Sequence, residues 1–262
     1  MWNHAAMNPS SGNNPFEPVP PPARVEDASD PESRSLPAGR GLEWLRQGWQ
    51  CFSASPGLWM GITVVWVVVL VVLNVVPLFG TIASTLLAMV TVGGLMHGCR
   101  ALSRGERLTL EHLWAGFGER VNPLLALGAW YLAAMLAVTL FVVLMSALVA
   151  GVAGLAAFAA LVVVSAATPL LFVMAVLLMA PVLMAVWFAP ALVVFHRMTA
   201  LDAMRASFFA SLRNAPAFVV FSLLYIVLVV LASIPAMLGW LALLPVTFGA
   251  IYASYRDVFQ QD

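Results

Sequence analysis

The sequence predicts an all-α fold: a polytopic transmembrane helical bundle of six spans, arranged as three helical hairpins, each preceded by an amphipathic surface helix. Three observations carry this. First, 76 residues between Arg120 and Arg197 contain no Asp, Glu, Lys or Arg, and similar voids run from Gln47 to Cys99 and from Asn214 to Tyr255. Runs of that length suit bilayer spans, which need about 20 apolar residues each. Second, the chain is 62% hydrophobic and 9% charged, whereas soluble domains carry about 25% charged residues. Third, a short amphipathic pattern recurs before each void.

The elements follow in chain order. Residues 1–39 form a polar, Pro-rich zone with Pro18, Pro20, Pro21 and Pro22 followed by Glu26, Asp27, Asp30 and Glu32. It has too little apolar surface to offset the entropy of ordering, so it reads as a disordered cytoplasmic tail. Its PxxP spacing also suits a polyproline docking peptide, though a solvated leader explains it as well. The polar N-terminus does not resemble a cleavable signal peptide.

Residues 40–262 form the transmembrane domain, in repeat units of about 40–104, 108–196 and 199–259. Leu42-Glu43-Trp44-Leu45-Arg46-Gln47-Gly48-Trp49 aligns with Leu201-Asp202-Ala203-Met204-Arg205-Ala206-Ser207-Phe208. Leu110-Glu111-His112-Leu113-Trp114-Ala115-Gly116-Phe117 is a weaker copy without the Arg. At 100° per residue, Leu42, Leu45, Trp49 and Phe52 share one side, as do Leu201, Met204, Phe208 and Leu212. Each segment reads as a helix on the membrane surface or as an ordinary connector. Glu43 with Arg46, and Asp202 with Arg205, have i,i+3 pairing distance. Pro56, Pro123 and Pro216 then open the apolar runs, where a missing N–H costs little.

The first void holds two spans, about 57–76 and 79–99, turning at Pro77 and Gly80. The last holds two more, about 216–233 and 237–256, turning at Pro235 and Gly239. The central void could hold two, three or four crossings, and charge decides. With two, all ten arginines from Arg40 to Arg256 share a side; with three, they divide six to four. The positive-inside rule favours the first. The spans are then 122–149 and 169–195, with 150–168 an apolar connection on the outer side, and both termini are cytoplasmic. Trp59, Trp114, Trp130 and Trp240 fall near span boundaries as an aromatic belt would, and Trp66 sits mid-span where it packs between helices. Gly57/Gly61 and Gly94/Gly98 have the GxxxG spacing of close helix contacts.

Candidate chemistry is sparse. No span carries a residue charged at neutral pH, which argues against an enzyme and against a proton- or sodium-coupled carrier. His97, Cys99, His112 and His196 lack zinc-site spacing, so no metal or cofactor is expected. Cys51 and Cys99 form neither a CxxC pair nor a disulfide framework. The formal net charge of zero gives no reason to expect nucleic acid as a partner. The densest polar cluster is Tyr252-Ala253-Ser254-Tyr255-Arg256-Asp257-Val258-Phe259, whose Tyr252, Tyr255, Arg256 and Phe259 share a helix side. Arg256 could pair with Asp202 or Glu43, making either a latch or a well-anchored helix end.

Trp187-Phe188-Ala189-Pro190-Ala191-Leu192, Ala203 to Ser207, Arg213-Asn214, Ile234-Pro235 and the closing YxSYRDxF motif (252–259) resemble a family of uncharacterised proteobacterial multi-pass inner-membrane proteins. The likeness spans most of 40–260. More remotely, the small-residue helix ending in Arg-Asn is similar to the membrane domains of some glycerophosphodiester phosphodiesterases, whose catalytic domain this chain lacks. The resemblance implies a bacterial inner-membrane location and marks Trp187, Pro190, Ser207, Asn214, Tyr252, Tyr255, Arg256 and Asp257 as candidate functional or latch residues. The expected role is a non-enzymatic scaffold or accessory protein of the cell envelope, in contact with membrane lipids and with other membrane proteins or itself. A permease for a small or lipidic solute is the alternative.

Overall fold

Long runs of Val, Leu, Ala and Ile with no charge leave the backbone one way to satisfy its polar groups in lipid, which is to bond within each segment as a helix. A computed structural model describes residues 33–154 and 159–260, with the side chains of 151–166 left out. The described residues form α1 (Arg40–Ser53), α2 (Pro56–Leu73), α3 (Phe79–Ser103), two 3-10 turns (Leu110–Leu113 and Ala115–Phe117), α4 (Val121–Gly154), α5 (Ala159–Trp187), α6 (Ala189–Phe195), α7 (Ala200–Arg213), α8 (Ala215–Ser233) and α9 (Trp240–Phe259). Among the described residues, five segments are long and apolar enough to cross a membrane: Pro56–Leu73, Phe79–Ser103, Val121–Ala150, Ala167–Phe195 and Ala215–Ser233. The opening prolines do what their chemistry suggests: Pro56, Pro123 and Pro216 all lie in the first turn of α2, α4 and α8.

Three sequence expectations need correction. The connection drawn at 150–168 is mostly helix, because α4 runs on to Gly154 and α5 begins at Ala159; only 155–158 lie outside the described residues. No Pro interrupts that Ala/Gly/Val stretch before Pro169. The tail boundary at 39 is also too late. The Leu36 N–H donates to Asn214 Oδ1 at 2.8 Å, and the Arg34 N–H donates to the Val258 carbonyl at 3.0 Å. Residues 33–39 are therefore a strap pinned against the ends of α7 and α9, and the polyproline run lies outside the described residues. Finally, the weak repeat copy at 110–117 is two 3-10 turns, not an amphipathic α-helix. Gly116 and Gly118 disfavour helix continuation. Thr109 and His112 cap the first turn reciprocally.

α1 and α7 bury only part of their apolar sides. Leu42, Trp49, Leu201 and Leu212 are exposed, while Gly41, Trp44, Leu45, Gly48 and Phe52 of α1, and Ala200, Ala203, Ser207, Ala210 and Ser211 of α7, are buried. On α7 the buried face is made of small residues, and on α1 glycines flank the buried Trp44, Leu45 and Phe52; in lipid, helix contact comes from close packing rather than from hiding hydrocarbon. In the register of the repeat, Gly41 matches Ala200, Trp44 matches Ala203, and Gly48 matches Ser207, so the same face is buried in both copies. A Cβ on Gly48 would sit 2.4 Å from the Val246 carbonyl oxygen, and one on Gly41 would sit 2.3 Å from that of Ala217. α1 is wedged between α8 and α9 with backbones touching.

Contacts between units form a ring. The 3-10 turns of the second unit pack on α3 of the first; α7 of the third packs on α5 and α6 of the second; α1 of the first closes back on α9 and α8 of the third. Each connector thus rests on the unit before it. The two turns echo each other as well. Gly80 abuts Leu73 at the end of α2, and Gly239 abuts Ala232 near the end of α8. The left-handed backbone of these turns falls on Leu78, Ala236 and Met237 instead of on the glycines. Of the GxxxG pairs, Gly94 and Gly98 press on the 108–116 segment, whereas Gly57 and Gly61 have nothing near them. Trp66 packs between helices as expected, donating to Thr91 Oγ1 at 2.8 Å and meeting Phe248 edge-on. Trp59 is buried and donates to the Cys51 carbonyl, so it is not part of a belt; Trp114 and Trp130 are exposed.

Candidate functional site

The eight candidate residues sit on α5 to α7, the α7–α8 junction and the end of α9; Asn214, Tyr252, Arg256 and Asp257 bond to the 33–39 strap, α3 and α1, while Trp187, Pro190, Ser207 and Tyr255 gather at one junction. Its centre is the break between α5 and α6. Pro190 cannot continue the α5 ladder and takes the first turn of α6, where it is buried. In an unbroken helix the Phe188 N–H would bond to the Met184 carbonyl. Here the Ser207 hydroxyl stands between them: the Phe188 N–H donates to Ser207 Oγ at 3.0 Å, and that hydroxyl donates to the Met184 carbonyl at 2.7 Å. Insertion of a side chain into the i→i−4 ladder is a known cause of sharp kinks. Ser211 adds a second donor to Met184 at 3.3 Å.

Ser207→Ala removes both bonds at a fully buried position. Stability should fall by about 2 kcal/mol, the cost of leaving the buried Phe188 N–H unpaired while Ser211 still serves the Met184 carbonyl. Denaturant titration in detergent reads that loss, and faster hydrogen exchange at the Phe188 amide localises it.

Around this break, Trp187 donates its indole N–H to Ser254 Oγ at 3.0 Å and meets Phe218 and Phe221 edge-on. Tyr255 and His196 share a hydrogen bond of 2.9 Å through the phenol oxygen and Nε2. Tyr252 reaches Ser103 at 3.3 Å. Asn214, fully buried, accepts from the Leu36 N–H and donates to the carbonyls of Arg34 and Ala210, both at 2.9 Å. It holds the strap 33–39 against the end of α7.

The ion pairing differs from expectation. Arg256 meets neither Asp202 nor Glu43; it donates to Gln47 Oε1 at 3.2 Å. Its neighbour Asp257 makes the pair instead, accepting from Arg40 at 2.5 Å and from the Trp44 indole N–H at 2.8 Å through one oxygen. The expected i,i+3 pairs are not made either. Glu43 accepts from Gln47, and Asp202 caps α7 together with Thr199. Capping satisfies orphan N–H groups at a helix start, which a surface ion pair worth tenths of a kcal/mol cannot match. Arg40 lay just before the amphipathic motif, so periodicity had no reason to select it.

The four residues weighed as metal ligands go to separate partners. His112 Nδ1 binds Thr109, His196 binds Tyr255, His97 packs on Phe195, and Cys99 faces Cys51. Burial holds the His196 imidazole below its ordinary pKa, favouring the neutral ring. The unfolded chain then binds a proton that the folded one resists, so stability is lost as pH falls through about 6.5. The thermal midpoint should drop between pH 7.5 and 5.5, and His196→Gln should lessen that drop.

A cavity of about 400 Å³ opens beside this junction, lined by Glu43, Gln47, Cys51, Cys99, Tyr252 and Arg256 among others. It lies where α1, α3 and α9 meet, and its walls are half polar.

The chain is similar to a Burkholderia thailandensis protein named as a probable inner membrane protein, 28% identical over 253 residues that cover 85% of this chain and 92% of that one. No family model matches it, and no solved structure matches it significantly. Together with the five apolar helices, this similarity makes the chain an integral membrane protein.

Proposed function

We propose that the protein is a non-enzymatic scaffold or accessory protein of the bacterial inner membrane, with six spans and both termini in the cytoplasm. α9 is the sixth span. Arg256 and Asp257 lower its hydropathy, and it is packed on by α1, α2, α3 and α8, with Gly249, Ala250, Ala253 and Ser254 among its buried residues. The observation that carries the reading is how the junction uses its polar groups. Trp187, Ser207, Asn214, Tyr255 and Asp257 all spend their hydrogen bonds on other parts of the chain. Among the described residues, no buried side-chain nitrogen or oxygen lacks a partner. Catalysis and coupled transport need titratable groups held open to a substrate; a junction closed on itself suits a rigid frame whose working surfaces face lipid and neighbouring proteins. The cavity at Arg256 favours the second reading, a permease for a small or lipidic solute.

Two measurements test this. Reconstituted vesicles should show no saturable uptake, and cross-linking in membranes should repeatedly recover one membrane protein or a second copy. A saturable flux abolished by Arg256→Ala in a protein that still folds would favour the permease. For topology, Arg205→Cys should be labelled from the cytoplasm, and Val76→Cys and Leu238→Cys from outside; all three positions are exposed. Cys51 should label from the cytoplasm, whereas buried Cys99 should not label without unfolding. Periplasmic labelling of Arg205→Cys would overturn the six-span plan.

A further inference from the structure

Cys51 lies in the last turn of α1 and Cys99 near the end of α3, 48 residues apart in sequence, yet their sulfurs stand 3.9 Å apart. Both are free thiols, Cys51 half-buried and Cys99 buried. Both line the cavity of about 400 Å³, so a small molecule entering there meets Cys51 first. The approach is built into the packing. A Cβ on Gly249 of α9 would sit 2.9 Å from Cys51 Cβ, so only glycine there lets the end of α1 lie where its thiol faces α3.

We propose that Cys51 and Cys99 form a reactive dithiol site that takes low-molecular-weight disulfides and closes to an intramolecular disulfide joining α1 to α3. Cys51 gives its proton to water, its thiolate attacks one sulfur of the small disulfide, the old S–S bond breaks, and one small thiolate leaves and takes up a proton. A mixed disulfide remains on Cys51. Cys99 then loses its proton to water and attacks the Cys51 sulfur, expelling the second small thiolate. Two protein thiols have been oxidised to one disulfide, and one small disulfide has been reduced to two thiols. The sulfurs need only close from 3.9 Å to about 2.05 Å, within reach of side-chain rotation. In a reducing compartment such a bond is transient, the behaviour of a sensor more than of a staple. The closed form ties together two walls of the cavity.

The site stands apart from the scaffold reading, which concerns the α5–α7 junction and lipid-facing surfaces; thiol chemistry can fail without touching membrane cross-linking, and the reverse. The test uses the full chain in lipid nanodiscs exposed to oxidised glutathione, then quenched in acid, denatured, alkylated with a maleimide and weighed intact. Wild-type protein should lose both thiols together, with a mass lower by two hydrogens, no retained glutathione, and full reversal by dithiothreitol. Cys99→Ser should stop at a glutathione adduct on Cys51, and Cys51→Ser should keep Cys99 free. A trivalent phenylarsenical gives a check that needs no variant, since one equivalent should block both thiols at once. Wild-type protein that keeps two free thiols, or that stops at the glutathione adduct, overturns the proposal, as does an arsenical that blocks neither thiol or only one.

Discussion

Gly48→Val should separate α1 from α9 and cost about 3 kcal/mol or more, the largest effect expected of any single substitution here. The reason is geometric. The first carbon of any side chain at this position would sit 2.4 Å from the Val246 carbonyl oxygen and 2.9 Å from the Ala250 nitrogen. Both are backbone atoms of a helix interior, so neither can swing aside as a flexible side chain would. α1 must lift, and with it go the buried Trp44 and the contacts of Arg40 and Gln47 with α9. Gly57→Ala supplies the control. Nothing lies within 4 Å of a Cβ there, and Ala is the better helix former, so stability should hold or rise by up to about 1 kcal/mol. Thermal unfolding of the two variants in the same detergent makes the comparison. Equal midpoints would mean that α1 is not seated on α9.

That contrast also shows what the sequence could and could not reveal. Five of the spans were legible because a bilayer imposes a one-dimensional rule: length and absence of charge suffice. The repeat was legible because its register is carried by residue type. The buried face of the connectors was not. The apolar stripe at Leu42, Trp49 and Leu201 marks the side turned away from the protein, while the contact face carries Gly48 and Ser207. Read as a membrane rule, the same repeat would have given the answer, since its small residues at matched positions mark the contact face. The sequence marked the candidate residues but not where they meet, and Asp202 and Glu43, the partners it offered for Arg256, are not the one Arg256 has. The ring by which each connector rests on the preceding unit depends on long-range packing that no local period encodes. The Ser207 insertion needs the third dimension, as does the approach of Cys51 to Cys99. For Asp257, periodicity chose its neighbour Arg256 because it shares a side with Tyr252 and Tyr255, yet helix ends turn enough for both residues to meet α1.

Asp257 gives the second large effect, and a graded series separates its two roles. One carboxylate oxygen accepts from the Arg40 guanidinium and from the Trp44 indole. The Arg40 side chain is 34% exposed and that of Asp257 13%, so water and salt weaken the ion pair, which should contribute no more than about 1 kcal/mol. The indole is different. Trp44 is fully buried, no water can replace its acceptor, and an unpaired buried N–H costs about 1–3 kcal/mol. Asp257→Ala should therefore cost about 3 kcal/mol, the two contributions together. Asp257→Asn keeps an oxygen for the indole and loses only the charge, so it should cost about 1 kcal/mol. Trp44→Phe removes the stranded donor, and in that background Asp257→Ala should lose most of its effect. A double-mutant cycle by denaturant unfolding should return a coupling of about 2 kcal/mol between Trp44 and Asp257, larger than that between Arg40 and Asp257. If Asn proves as damaging as Ala, charge and not the indole holds α1 to the end of α9, and the closing contact of the ring is electrostatic. If neither substitution is felt, Gly48 and the packing around it close the ring alone.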